Sequence, residues 1–257
     1  MANIITFINE KGGIGKTSCC FNIAWELSNK KKKILLVDMD GQRANLTYFC
    51  GIKKTDDMLT IYDLLLKGKA PSEAITNIKG NLDIIPANVE VSMLNQSAKA
   101  KRMKEVLAQV QDQYDYIFID VSPSPNWGQY LALVASQFAI VVMLPDMASL
   151  EADNGIIESI EEVQESSNPN LSVLGILFNR NEFRSNMSKQ VKQVSEKVAK
   201  RLNSKVFESS IRASVLMGEV AYAHEGITDY DKKSVVAEDV REIAKELEKE
   251  VKKHGKK

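Results

Sequence analysis

The sequence predicts an α/β protein: a mostly parallel, twisted sheet with helices on both faces. Three observations predict it. Short apolar runs alternate with longer amphipathic stretches, the pattern of strands joined by crossover helices. The apolar runs are rich in Ile, Leu, Val and Phe, as suits strands covered on both faces. A glycine-rich loop ending Gly-Lys-Thr stands between the first such run and the first helical stretch. The 257 residues, 44% hydrophobic and 26% charged, suit one globular domain spanning 1–257.

Taken in order, candidate buried strands are Ile4–Ile8, Ile34–Val37, Leu82–Pro86, Tyr116–Ile119, Ala139–Leu144 and Val173–Phe178. Helices read between them. Thr17–Asn29 is apolar nearly all round and belongs inside. Ala98–Val110 opens on a basic cluster, Lys99, Lys101, Arg102 and Lys104. Ser149–Glu165 sets Ile156, Ile157, Ile160 and Val163 against glutamates. Ser185–Leu202 repeats Met187, Val191, Val194, Val198 and Leu202 at helical spacing. Val236–Val251 does the same with Val240, Ile243 and Leu247, and Lys252–Lys257 reads as a frayed tail.

Composition excludes several function classes. Lys and Arg number 34, as do Asp and Glu, so the formal net charge is zero. Any affinity for nucleic acid must therefore come from a local patch. Three cysteines, Cys19, Cys20 and Cys50, lack metal-ligand spacing, which argues against a disulfide scaffold and for a reducing compartment. No apolar run approaches the roughly 18 residues a membrane span needs, and no signal peptide is visible. His224 and His254 are the only histidines, too few for histidine-based catalysis or a histidine-rich metal site.

The chemistry begins at Lys11-Gly12-Gly13-Ile14-Gly15-Lys16-Thr17, followed by Ser18. Glycines let successive backbone N–H groups converge on phosphate oxygens without a Cβ in the way, and the helix N-terminus adds partial positive charge. In this context Lys16 reaches the β and γ phosphates and the Thr17 hydroxyl binds Mg2+. A second element, Leu35-Leu36-Val37-Asp38-Met39-Asp40-Gly41-Gln42, carries two acids off a strand end, where α/β sheets place their ligands. The two acids are expected to face different ways and to do different jobs. A third, Tyr116-Ile117-Phe118-Ile119-Asp120, ends an apolar strand in a carboxylate suited to holding Mg2+ through water.

The loop resembles the deviant P-loop K-G-G-x-G-K-[ST] of the ParA/MinD family of ATPases, SIMIBI-like P-loop NTPases, with Glu10 where the general P-loop has its first glycine. The resemblance implies a homodimer closed around ATP, in which Lys11 acts across the interface on the partner's phosphates. It is similar at the second element to D-x-D-P-Q, implying that Asp40 orients the attacking water and that Asp38 lies near the magnesium shell. Gly41 replaces the family's proline and is expected to loosen the turn. The third resembles D-x-P-P-S, with Ser122 for the first proline, and Pro125 and Trp127 are expected to alter the helix that follows. Asn81-Leu82-Asp83-Ile84-Ile85-Pro86-Ala87 and Gly226-Ile227-Thr228-Asp229-Tyr230-Asp231 extend the resemblance over most of the chain. It implies adenine contact by Asn179, though a polar strand-end cap reads equally well. Arg212 lies near the base or serves DNA.

Three functions compete. The first is a partition ATPase that binds DNA non-specifically with ATP and hydrolyses it when a ParB-like centromere-binding protein stimulates it, in the cytoplasm on the nucleoid. Between Arg180 and Lys205 eight cations stand against two acids, whereas Glu151 to Glu165 holds six acids and no cation. Lys189, Lys192, Lys197, Lys200 and Arg201 are the candidate phosphate-backbone contacts, or else a solvated helix face. Leu216 stands where family members often carry a DNA-binding arginine. The second is a MinD-like membrane-associated positioning ATPase, but the last helix has a narrow apolar stripe without aromatics, so no membrane partner is expected. The third is an electron-transfer relative of the nitrogenase iron protein, which needs interfacial cysteines to ligate a cluster.

Overall fold

The computed structural model describes residues 1–43, 45–146, 154–181 and 189–254, and does not describe the side chains of Asn154, Lys189 and Lys192. Seven strands form one sheet in the order β3-β4-β2-β5-β1-β6-β7. They are β1 Asn3–Ile8, β2 Ile34–Met39, β3 Thr76–Lys79, β4 Leu82–Ile85, β5 Tyr116–Val121, β6 Phe138–Met143 and β7 Ser172–Phe178. All pairs are parallel except β3 with β4. The antiparallel edge strand is absent from the sequence reading. Its residues Thr76-Asn77-Ile78-Lys79 carry no apolar run, because an edge strand is not covered on both faces.

Alternate residues of each strand feed two cores. Ile4 and Ile8 face one, Ile5 and Phe7 the other; Leu35 and Val37 divide from Ile34 and Leu36 in the same way. One core is roofed by α1, Lys16–Asn29, together with the last helix, Val235–His254. The other is roofed by Arg102–Ala108, Trp127–Ala135 and Asn154–Ser166. Two-sided cover accounts for the near-complete burial of the parallel strands and for their unbroken apolar reading.

Several boundaries move. The basic-headed helix is shorter than read, Arg102–Ala108, since residues 96–101 form turns. A helix does follow Asp120: Trp127–Ala135 begins after a short loop, where the Asn126 side chain caps it by accepting from the Gln129 amide at 2.9 Å. Pro125 lies outside the helix and does not break it. The last helix runs through His254, into the stretch read as tail. The expected helix starts at Ser149 and Ser185 fall outside the described residues; within the described residues the helices are Asn154–Ser166 and Lys189–Arg201. No described helix is long and apolar enough to cross a membrane.

Candidate functional site: a phosphate cradle with an adjoining base cleft

The loop after β1 opens at the carboxyl ends of the parallel strands. Gly15 takes φ +88° and precedes α1 as its N-cap; a Cβ there would lie 2.1 Å from the Asn179 amide nitrogen, so both conformation and space require glycine. Gly13 is also left-handed, at φ +75°, and a Cβ on it would meet nothing within 4 Å. The loop is thus open towards the outside and tight towards Asn179. Gly12, Gly13, Gly15, Lys16, Thr17, Ser18 and Asp40 line one cleft of about 560 Å³. Gly15, Ser18, Asn179, Arg180 and Arg212 line a second of about 610 Å³, and the two share Gly15, Ser18, Phe49 and Arg180. A triphosphate in the first and a base in the second is the division this pair of clefts allows.

Beneath the loop, β2 and β5 pair so that Asp38 sits beside Asp120. Both carboxylates are buried. Asp120 Oδ2 accepts from Thr17 Oγ1 at 2.6 Å, while Oδ1 is buried with no hydrogen-bond partner. Lys16 Nζ donates to the Lys11 carbonyl at 3.0 Å. Burial, with Asp38 alongside, pushes the Asp120 carboxyl up to about 8, and burial pulls Lys16 down against the attraction of Asp120 and Asp40. Burial disfavours the charged form of each group more than their mutual attraction favours it. A divalent cation beside Asp120 and Thr17, and a phosphate over Lys16, supply opposite charge. The orphaned Oδ1, the open glycines and the Thr17 hydroxyl therefore fit Mg2+ and a nucleotide phosphate.

Asp38, beside Asp120, is also tied into the fold. Its Oδ1 accepts from the Asp40 amide at 2.9 Å; its Oδ2 accepts from both the Thr47 amide, at 2.8 Å, and the Thr47 hydroxyl, at 2.7 Å. Burial pushes its carboxyl up to about 6 against these hydrogen bonds. Both oxygens help to hold the chain, so Asp38 braces Asp40 and the helix Asn45–Phe49. Two residues apart in a strand would share a face; the acids part company because β2 ends at Met39 and Asp40 begins a turn. Asp40 Oδ1 accepts from the Gln42 amide at 3.1 Å, an Asx turn that aims it along the cleft.

The turn is not loosened by Gly41. A Cβ on Gly41 would lie 2.1 Å from the Ser92 amide nitrogen, so the backbone of the 3-10 turn Val89–Met93 occupies the space a side chain needs. Ser122 likewise ties its loop, accepting from Asn126 Nδ2 at 2.5 Å.

At the base end Asn179 is buried and its Nδ2 donates to the Ile14 carbonyl at 2.7 Å. One amide hydrogen is thus spent on the loop. Arg212 lines the base cleft, but its guanidinium is gripped by Asp239 at 2.7 and 2.6 Å. Phe49, Arg43 and Arg180 also line the clefts, and the sequence reading assigned none of them a role there. For Arg180 a signal existed, its place beside Asn179 at a strand end; for Phe49 and Arg43 none did, since only the fold carries their helix and turn over the loop.

Of the candidate DNA contacts, Lys197 and Lys200 are exposed. Lys189 and Lys192 lie in the helix with side chains outside the described residues. Arg201 is paired: Glu161 holds its guanidinium at 2.9 and 2.7 Å, and Lys205 is held by Glu246 and by Glu250 at 3.1 Å. The basic and acidic stretches, separate in sequence, partly neutralise each other in space. Leu216 packs partly buried against the core.

A parallel sheet with this loop, a carboxylate under it and a split cleft defines a P-loop nucleotide-binding protein. Comparison with known proteins narrows the class. A family model described as an AAA domain matches residues 2–173. A second, described as 4Fe-4S iron sulfur cluster binding proteins of the NifH/frxC family, matches residues 97–255. The sporulation initiation inhibitor protein Soj of Bacillus subtilis is 32% identical over 256 residues, covering 96% of this chain and 98% of Soj. The chromosome partitioning protein ParA of Myxococcus xanthus is 31% identical over 256 residues, covering 97% and 89%. Among solved structures, cobyrinic acid a,c-diamide synthase from Mycobacterium smegmatis with bound ADP and magnesium superimposes with a TM-score of 0.83 at 25% identity, covering 98% and 96%. The chain belongs to the ParA/Soj/MinD family of P-loop ATPases. An iron–sulfur cluster does not fit it: residues 97–255 contain no cysteine, and Cys19, Cys20 and Cys50 are buried in the core.

Proposed function

We propose that this chain is a ParA-type partition ATPase that dimerises with ATP, binds DNA without sequence preference and is released from it when a centromere-binding partner stimulates hydrolysis. The observation that carries the reading is Lys11 at the mouth of the phosphate cradle, in a chain that Soj and ParA match over 96% and 97% of its length at 32% and 31% identity. Within one subunit Lys16 and the loop amides stabilise charge on the transferred phosphoryl group. Thr17 and Asp120 hold Mg2+, which neutralises phosphate charge when bound. Asp40 orients water, and Asp38 keeps Asp40 in place through its backbone amide. Lys11 completes the site of the second copy. Asn179 shapes the loop and offers its remaining polar atoms to the base, with Arg212 alongside. Lys189, Lys192, Lys197 and Lys200 contact DNA phosphates.

The membrane-positioning alternative is not favoured. The last helix turns Val236, Val240, Ile243, Leu247 and Val251 into the core against α1, leaving no apolar stripe for lipid. The deciding experiment is retention of the purified protein on DNA beads and on liposomes with ATP, ADP or a nonhydrolysable analogue. Retention on DNA alone, and only with ATP or the analogue, is expected; retention on liposomes alone would replace this reading with the membrane one.

A further inference from the structure

Cations counted along a chain and cations available to a phosphate backbone are different quantities. In the stretch after Arg180, Arg201 and Lys205 are held by carboxylates, and Arg212 beyond it is held by Asp239. A cation already paired with a carboxylate carries little net charge to neutralise a phosphate and displace the DNA's condensed counterions, so its contact with phosphate gains little. The basic cluster before the helix Arg102–Ala108 has the opposite character. Lys99, Lys101 and Lys104 are exposed. No ion pair engages these three among the described residues. The nearby acids are occupied elsewhere: Glu105 faces Arg102 at 3.7 Å and Glu90 faces Lys67 at 3.7 Å. Arg102 itself is turned inward, donating to the Leu64 carbonyl at 2.8 Å. The turn is well held, with the Arg102 amide donating to the Lys99 carbonyl at 2.8 Å and the Glu105 amide to the Lys101 carbonyl at 3.0 Å. Lys101 and Lys104, three residues apart on a helical turn, are neighbours on one face.

Position and connection add a second observation. The cluster follows β4, which runs parallel to β2, β5 and β1, so it emerges at the same end of the sheet as the phosphate loop. Trp127 stands at the end of the loop that begins at Asp120, and its indole Nε1 donates to the Ala98 carbonyl at 2.7 Å. Ala98 precedes Lys99. Tyr130 stacks on the indole at 4.8 Å and keeps it aimed there. The Trp127–Ala98 hydrogen bond thus ties the lysine turn to the loop that follows Asp120.

We infer that Lys99, Lys101 and Lys104 form a phosphate-backbone contact for duplex DNA, and that the Trp127–Ala98 hydrogen bond makes the placement of this contact depend on the bound nucleotide. The inference rests on the DNA-binding reading above and adds where DNA is touched and how nucleotide state reaches it.

The test is fluorescence anisotropy with a short random-sequence duplex, in a salt series, with the nonhydrolysable ATP analogue and with ADP. The K99Q/K101Q/K104Q variant should bind at least about tenfold more weakly with the analogue, and its log–log salt slope should be shallower by about 2–3. The K197Q/K200Q variant is the comparator. A lysine-turn variant with unchanged affinity and slope, while K197Q/K200Q loses binding, overturns the inference and leaves the DNA reading standing. A wild-type chain that binds no duplex with any nucleotide overturns the DNA reading and this inference with it. For the connection, W127F keeps the ring and removes the donor; its affinities with analogue and ADP should converge. Hydrogen exchange of residues 98–104 in the wild-type chain reads the same connection without a substitution. Protection that differs between analogue and ADP is expected; identical protection overturns the connection.

Discussion

Gly41 shows how much one side chain decides. A methyl group there would lie 2.1 Å from the Ser92 amide nitrogen, against backbone that has no rotamer to escape by. Gly41→Ala should cost about 1–3 kcal/mol through overpacking, read as a lower urea midpoint. The same change should slow ATP turnover, because Asp40 is the next residue in the turn. Lys11 and Asp40 carry sharper expectations. Lys11→Ala should abolish ATP-dependent dimers in light scattering; dimers undiminished would remove its role across the interface. Asp40→Ala should trap an ATP-bound dimer, and normal turnover would reassign the residue that orients water. Asp38 belongs to the same scale. Thr47→Val keeps the shape at its hydroxyl but leaves the Asp38 carboxylate and the Ala87 amide each short of a partner, since Ala87 donates to the Thr47 hydroxyl at 2.9 Å. Its expected cost is about 1–3 kcal/mol, with turnover slowed by a misplaced Asp40.

Among the elements, the last helix packs its apolar stripe into the core. Leu247 is fully buried, so Leu247→Ala should destabilise the chain by about 2–5 kcal/mol in urea unfolding. A lipid-facing leucine would give a change near zero. The helix also carries a titratable clamp. Glu246 accepts from the Glu208 and Ser209 amides at 3.0 Å each and pairs with Lys205. Burial works to raise its carboxyl, but these partners outweigh it and hold it below the usual carboxylate range. A depressed acid stabilises the fold above its unfolded value of about 4.3 and loses that contribution as pH falls through its folded value. Glu246→Gln should therefore lower the urea midpoint at neutral pH and flatten the loss of stability on the acid side. At the opposite wall of the same core, a Cβ on Gly226 would lie 2.2 Å from Trp25 Cγ, and the Ile227 amide donates to Asn22 Oδ1 at 2.7 Å. The stretch that resembles a family motif in sequence is thus the seat of α1, the helix that carries Lys16 and Thr17.

For the whole molecule, the parallel order puts every functional loop at one end of the sheet, and two covered faces make that end the free one. The clefts, the Asp40 turn, the loop after Asp120 and the lysine turn all emerge there, so the proposed nucleotide and DNA contacts would lie at one end of the chain. Charge reversal at Lys197 and Lys200 should weaken DNA retention and its salt dependence; unaffected retention would make the helix Lys189–Arg201 solvated surface.

The strands that are covered on both faces and the phosphate loop were legible in the residues themselves. Burial on two sides demands continuous apolar runs, and a left-handed loop that approaches phosphate demands glycine, so both requirements are written locally. Asp120 was legible too, because it terminates such a run. The edge strand Thr76–Lys79, the use of both Asp38 oxygens, the need for glycine at 41 and the pairing of Arg201 and Arg212 were decided only by the tertiary structure. Each depends on a partner distant in sequence: Asp38 on Thr47, Gly41 on Ser92, Arg201 on Glu161, Arg212 on Asp239. A residue type states what a side chain is able to do; which of its hydrogen bonds and charges are already spent is set by what the fold brings against it.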